Sequence, residues 1–264
     1  KLPKIINNMI DTIIKFGGEV YFDKICTDII LEKDEKNNFI TKGIICIDSN
    51  EKTIIQKIYS DAVILATGHS ATDIYEMIYD CCCKNNLEVD KVLQEKTFAV
   101  GVRVEHPRQV IDKIQYHGKE RTENLGAAEY RLTTQVDERG VYSFCMCPGG
   151  LVVPYSSGKE EIVVNGMSPS SRNSKWSNSA IVVEVRPEDA KEILQKNKID
   201  DNENLLSTLN FRTYLEKLTY QNGNGIKAPA QKLIDFIEER KTNTFPETSF
   251  TPGLIFSRFA LLLP

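Results

Sequence analysis

No apolar run in this sequence is long. The longest, Asp61 to Thr67 and Phe259 to Leu263, fall far short of the roughly 20 residues that a membrane-spanning helix needs, so no membrane span is expected. Nor is there an excess of positive charge: 33 Lys and Arg against 37 Asp and Glu leave a formal charge of −4. With no basic stripe, nothing points to nucleic acid or an anionic membrane as a partner. Histidine is scarce, at three residues, and His69 and His117 do not stand at ligand spacing with the cysteines, so no metal site is expected. The opening stretch, KLPKIINNMIDTIIKFGG, lacks the uninterrupted apolar block and small-residue cleavage site of a secretion signal. Seven cysteines are an odd number, and Cys81, Cys82 and Cys83 are adjacent, which suits no disulfide framework. The thiols read as reduced and the setting as intracellular, in the cytoplasm or an organelle such as a plastid or mitochondrion.

What is present reads as globular. Hydrophobic residues make up 41% of the 264 and charged residues 27%, enough for one large or two ordinary domains. Ile5, Ile6, Met9, Ile13 and Ile14 recur at helical spacing, which predicts an amphipathic helix over 3–16 that stops at Gly17 and Gly18. Strand-like runs follow at Glu19–Phe22, Cys26–Glu32, Phe39–Asp48 and Thr53–Tyr59, with polar turns between them, the pattern of an antiparallel meander. Asp61–Thr67 is continuously apolar, as a strand buried on both faces would be. Ser70 is placed to cap a helix over Thr72–Cys83, with Asp73 in its first turn. The chain opens inside a helical pattern and closes on an apolar run without a polar tail, so the ordered middle of a longer protein is expected.

After about residue 95 the texture changes to mixed β. Strands are expected at Phe98–Glu105, Tyr130–Gln135, Val141–Cys147, Leu151–Tyr155, Ile162–Met167 and Ala180–Val185. Helices are expected at Pro107–Tyr116, Pro187–Gln195, Leu205–Thr219 and Pro229–Glu239, with a polar loop over 196–204. The fold class is therefore α/β with α+β character, in two domains, 1–94 and 95–264.

The segment DAVILATGHS ends a buried strand on Thr67-Gly68. Ligands of doubly wound sheets bind at that strand edge, and glycine lets them approach the main chain. Alone, the segment reads equally well as an ordinary strand-turn-helix. The stretches DAVILATGHSATDIYEM, FAVGVRVEHPRQVID, LGAAEYRLT, GVYSFCMCPGGLVVPYSS, VVNGMSPSSRNSKWSNSAIVVEV and NGIKAPAQKLIDF together carry a more specific signal. Through them the chain resembles the FAD-dependent dehydrogenases, distant relatives of the two-dinucleotide-binding, glutathione-reductase-like flavoproteins. The resemblance implies that residues 1–94 are the closing half of a split, Rossmann-like FAD-binding domain with a β-meander, and that 95–264 form an inserted β-rich substrate domain. It implies FAD as cofactor and hydride or electron transfer to or from a small-molecule substrate or electron carrier. Two family features are missing: the GxGxxG turn that holds the FAD pyrophosphate at a helix N-terminus, and a late glycine-rich segment of the GEGAGYAGG kind. The alternative function is a non-catalytic or partial flavoprotein-fold subunit of a larger assembly. A flavin-using enzyme acting on nucleic acid is disfavoured by the charge.

Candidate residues follow from both lines. Cys26, Ala66, Thr67, Gly68 and His69 are implied cofactor contacts. Arg103 and His106, in GVRVEHP, set a cation and a titratable imidazole at a strand end, where they could face the flavin and a substrate anion in one pocket. The plainer reading is a surface Arg103–Glu105 ion pair and an exposed His106. In SFCMCPGGLVVP, Cys145 and Cys147 would share a strand face, either as an electron-relay pair or as small buried hydrophobes, and Pro148, Gly149 and Gly150 would expose main-chain donors to the cofactor. The Ser- and Asn-rich run containing Asn165, Asn178 and Ser179 reads as a loop able to bind a substrate's polar edges, or as a solvated loop. Lys227 precedes a helix start at Pro229, where an anion could bind, or where a loop simply joins a helix.

Overall fold

The computed structural model describes residues 2–119, 121–122, 124–156, 158–199 and 206–258. The fold is mixed α/β and divides into two compact units, Lys1–Gln94 and Glu95–Pro264.

In the first unit, helix α1 (Leu2–Lys15) ends in a Schellman turn: Gly17 takes φ +83°, Gly18 N–H reaches the Ile13 carbonyl and Gly17 N–H that of Ile14. The run Glu19–Phe22, expected as a strand, has no ladder. The meander is β1 (Lys24–Lys33), β2 (Phe39–Asp48) and β3 (Ile55–Tyr59), paired antiparallel in that order. Its first turn is written by Asp34, whose carboxylate accepts the N–H groups of Lys36 and Asn38; Asn37 tolerates φ +65° between them. Asp48 does the same for Asn50 and Glu51 in the second turn. Helix α2 (Thr72–Lys84) packs on β1 and buries Ile74, Met77, Cys81 and Cys82, while Cys46 is buried in β2. Its N-cap is Ala71 rather than Ser70, and no side chain caps it. A single turn, α3 (Val89–Val92), closes the unit.

Asp61–Thr67 departs from its expected form. It pairs with nothing among the described residues and stands in solvent, with Ile64 90% exposed. A strand buried on both faces needs parallel neighbours, and the meander supplies none. Helix α1 is in the same condition: it has an apolar stripe and no buried residue.

The second unit is built on a four-stranded antiparallel sheet ordered β4-β9-β6-β5: β4 (Phe98–Pro107), β5 (Thr133–Val136), β6 (Arg139–Cys147) and β9 (Trp176–Val185). Strand β9 starts four residues before the sequence suggests, at Trp176. Ser177, Asn178 and Ser179 were expected in a loop; they are instead fully buried in the central strand. Pairing with β4 on one side and β6 on the other satisfies their backbone, so a polar run can lie inside. Helix α4 (Arg108–Gln115) follows β4. A hairpin of β7 (Leu151–Pro154) and β8 (Val164–Met167) lies apart from the main sheet in pairing. Helices α5 (Pro187–Lys196) and α6 (Ser207–Gly223) form the main core with the sheet, through Val185, Ala190, Leu194 and Phe211.

The expected helix over Pro229–Glu239 is divided. Ala228–Ala230 is strand β10, parallel to β11 (Leu254–Phe256), and helix α7 covers only Leu233–Ile237. Proline survives in β10 because a two-stranded ribbon leaves one edge free. Of the loop expected over 196–204, residues 200–204 lie outside the described residues, as does the closing run Phe259–Leu263. All seven cysteines are free thiols, and no helix among the described residues is long and apolar enough to cross a membrane.

Candidate functional site

Strand alternation divides the candidate residues of the second unit between two faces. Residues directly paired across strands share a face. Arg103 pairs with Ala180, and Glu105 and Cys147 both pair with Asn178, so these lie on one side. Val104 pairs with Ser179 and His106 with Ser177, which places His106 on the other. Arg103 and His106 are three residues apart in a strand, so the single pocket expected for both is not formed.

On the first face Arg103 is the centre. Its Nη1 donates to Asn178 Oδ1 at 2.7 Å and to the Cys145 carbonyl at 3.3 Å, and its Nη2 donates to Asn165 Oδ1 at 3.3 Å. The Cys145 carbonyl is available because β6 bulges there: Phe144 pairs with Ala180 and Cys147 with Asn178, one residue too many, and Cys145 takes φ +49°. The bulge leaves Cys145 exposed and Cys147 buried, so the pair is neither two buried hydrophobes nor two residues of a regular strand. Burial pushes the Cys147 thiol up, the neighbouring Cys145 thiol adds to that, and Arg103 partly offsets it. Gly166 lets the β7–β8 hairpin approach, since a Cβ there would strike Asn178 Oδ1, Arg103 Nη1 and Cys147 Sγ. Glu105 makes no ion pair with Arg103. Its carboxylate accepts Ser249 N–H at 3.1 Å, the Thr248 hydroxyl at 2.7 Å and the Ser249 hydroxyl, and Ser249 Oγ also accepts Val152 N–H at 2.8 Å. The segment before β11 is thereby tied to β4 and β7.

On the second face His106 Nε2 lies 3.0 Å from the Tyr130 hydroxyl. The segment carrying Tyr130 is held by α4: buried Asp112 accepts Ala128 N–H at 3.1 Å, and the Tyr116 hydroxyl donates to the Gly126 carbonyl at 2.7 Å. Burial raises the Tyr130 phenol above its ordinary value, while hydrogen bonding with Ser179 and the charge of Arg103 pull it back. Burial also pushes the His106 imidazole below its usual range, against smaller opposing effects from the backbone of Pro107 and His106 and from Glu105.

That depression carries a sign. The folded state prefers the neutral ring, so its contribution to stability is complete above the ordinary imidazole value of 6.5 and is lost as pH falls through the lower folded value. Between about pH 8 and about pH 5, the melting temperature of the wild type should therefore fall faster than that of His106→Gln. Parallel melting curves for the two proteins would show that the ring is not desolvated as described.

The remaining candidates are placed differently. Pro148, Gly149 and Gly150 do not present main-chain donors: the turn is buried, Gly149 N–H donates to Ser177 Oγ at 3.0 Å, and the Pro148 carbonyl accepts from Ser168. Lys227 is exposed before strand β10, and no helix starts at Pro229 to offer the N-terminus expected there for an anion. In the first unit, Cys26 turns its thiol to Met77 Sδ at 4.0 Å and the Asp28 carbonyl, and burial pushes it up; it is a packing residue. Ala66, Thr67, Gly68 and His69 are exposed, in a turn where Gly68 takes φ +81° with open space beside it. An exposed main chain at the end of an extended segment fits close approach by a cofactor. Sequence reasoning missed Tyr130, Ser249 and Gly166. Tyr130 is 24 residues from His106 and Ser249 is 144 from Glu105, and no local spacing reports such contacts.

Comparison with known proteins adds two findings. The sequence model of a family described as "FAD-dependent protein, C-terminal domain-like" matches residues 97–264. A protein of Clostridium beijerinckii described as uncharacterized is 35% identical over 268 residues, a match covering all of this chain and 45% of that protein. The chain thus spans a little under half the length of that relative.

Proposed function

The chain belongs to the FAD-dependent protein, C-terminal domain-like family, and from that premise we propose that it is part of an FAD-dependent oxidoreductase of the two-dinucleotide-binding, dehydrogenase kind. The observation that carries the reading is Asp61–Thr67: an apolar segment, extended and unpaired, that ends on an exposed Thr67-Gly68 turn before α2. Such a segment belongs beside parallel strands of a Rossmann-like sheet, and the matched relative has more than half its length beyond the part that corresponds to this chain. Residues 1–94 would then be the closing part of the FAD-binding domain, and 95–264 the substrate domain.

Bound FAD would supply hydride or electron transfer. The chain would supply position and charge. Ala66, Thr67, Gly68 and His69 would bring main chain to the cofactor. Arg103, fixed by Asn165 and Asn178, would present a cation, and the His106–Tyr130 pair would hold or move a proton between Nε2 and the phenol oxygen. The substrate would be a small molecule or electron carrier. The test is the visible spectrum of the purified full-length protein. Flavin bands that disappear on unfolding support the reading; a colourless protein that stays colourless after FAD is added and excess removed ends it.

A further inference from the structure

The first face of the sheet sets a cation and a carboxylate side by side and keeps them apart. Glu105 stands two residues from Arg103 on the same strand and face. Its oxygens are occupied by Ser249 N–H, Ser249 Oγ and Thr248 Oγ1. A carboxylate has about four lone-pair positions, and these three donors make four contacts with it, Ser249 N–H reaching both oxygens. Arg103 in turn makes no ion pair among the described residues; three of its protons are held by the neutral oxygens of Asn178, Asn165 and Cys145. A guanidinium has about five donors, so Nε–H and one proton of Nη2 remain, on neighbouring atoms of one plane.

Buried donors rarely go without acceptors. Here two do so around a single cation. Arg103 Nε is buried with no acceptor among the described residues. Asn178, 0% exposed, gives Oδ1 to Arg103, so its Nδ2 is the free end of the amide, and it too is buried without an acceptor. The cluster offers donors only, and the Nε–Nη2 edge of arginine matches the two oxygens of a carboxylate.

We propose that Arg103, held in place by Asn178 and Asn165, forms a binding subsite for a planar oxyanion of the carboxylate kind, gripped side-on by the Nε–Nη2 edge of its guanidinium. Such an anion has two sources: the carboxylate of an organic-acid substrate, or the anionic N1–C2 carbonyl edge of a reduced flavin. The inference deepens the flavoprotein reading, and only the second source depends on it.

The first arm of the test titrates the cofactor-free protein with acetate at constant ionic strength, balanced with chloride, and follows its melting temperature; acetamide is the neutral control. Acetate should give a saturable rise that acetamide does not. In Arg103→Gln the apparent affinity should fall about tenfold or more, while Arg103→Lys, which keeps the charge without the fork, should fall between. The second arm measures the flavin midpoint potential of the FAD-loaded protein. A more negative potential in Arg103→Gln or Arg103→Lys assigns the subsite to the flavin edge; an acetate response with an unchanged potential assigns it to a substrate carboxylate. No acetate response in the wild type together with an unchanged potential in both variants overturns the proposal, as does an undiminished acetate response in both. If Arg103→Gln does not fold, Arg103→Lys decides both arms. A protein that never takes up FAD ends the flavoprotein reading but leaves the acetate titration decisive.

Discussion

Replacing Phe211 with alanine is expected to cost the Glu95–Pro264 unit about 3–5 kcal/mol, more than any other single truncation in it. Phe211 is 0% exposed. It lies on α6, meets Leu194 and Ala190 of α5, and stands edge-on to Phe98 of β4 with ring centroids 6.1 Å apart at 73°. The methyl of Ala190, also fully buried, leaves α5 and α6 no room to slide together over the hole. The loss includes the transfer energy of the ring, the cavity and the aromatic pair. Domains commonly hold only about 5–15 kcal/mol, so the variant should sit near its unfolding threshold at physiological temperature. Urea unfolding measures this directly: the midpoint should drop with the slope unchanged. Phe211→Leu, which keeps most of the volume, should lose about 1–2 kcal/mol. A loss below about 1 kcal/mol for the alanine variant would mean that this cluster is not the core.

Gly149→Ala is the second large effect, and it works by crowding rather than by loss. Gly149 takes φ +56°, and a Cβ there would run into the Arg172 backbone carbonyl. The left-handed conformation alone costs a non-glycine residue roughly 1–2 kcal/mol. The clash with rigid main chain comes on top, because Gly149 N–H is fixed to Ser177 Oγ and its carbonyl accepts Ser174 N–H. A total above about 3 kcal/mol is expected. Gly225 is the control. It takes φ +84° in the same unit, but nothing lies within 4 Å of its Cβ position. Gly225→Ala should show the conformational cost alone, and the difference between the two melting temperatures isolates the crowding. Equal losses would place the Arg172 carbonyl elsewhere.

The two glycines also show what could be read from sequence. Pro148-Gly149-Gly150 was legible as a turn, because proline and glycine act through their own backbone. Which side of the turn meets solvent depends on Ser177 and Arg172, both more than 20 residues away, and was not. The meander was legible for the same local reason: Asp34 and Asp48 close their turns within four residues. Arg103 and Asn178 were each legible as candidates, but their contact spans 75 residues and rests on a bulge at Cys145 that no spacing rule marks. The Ser177–Ser179 run was misread because composition reports polarity, and a central strand accommodates a polar run once its ladder satisfies the backbone. Asp61–Thr67 shows the reverse. Its pattern is that of a doubly covered strand, and the described residues contain no strand to lie beside it.

Helix α1 carries a consequence of its own. It is 14 residues long and buries none of them. Helices of about 12–15 residues are marginal in water by themselves, because the first turn must be nucleated at a loss. The Schellman turn at Gly17 and Gly18 sets where α1 stops but adds little to whether it forms. With no buried residue and no packing among the described residues to hold it, its opening free energy is expected near zero, at the low end of local unfolding equilibria. Its backbone amides should therefore exchange with solvent almost as fast as those of an unfolded peptide, until some apolar surface takes up the stripe of Ile5, Ile6, Met9 and Ile13. In that sense α1 is less an element of the fold than a measure of whether its stripe is covered.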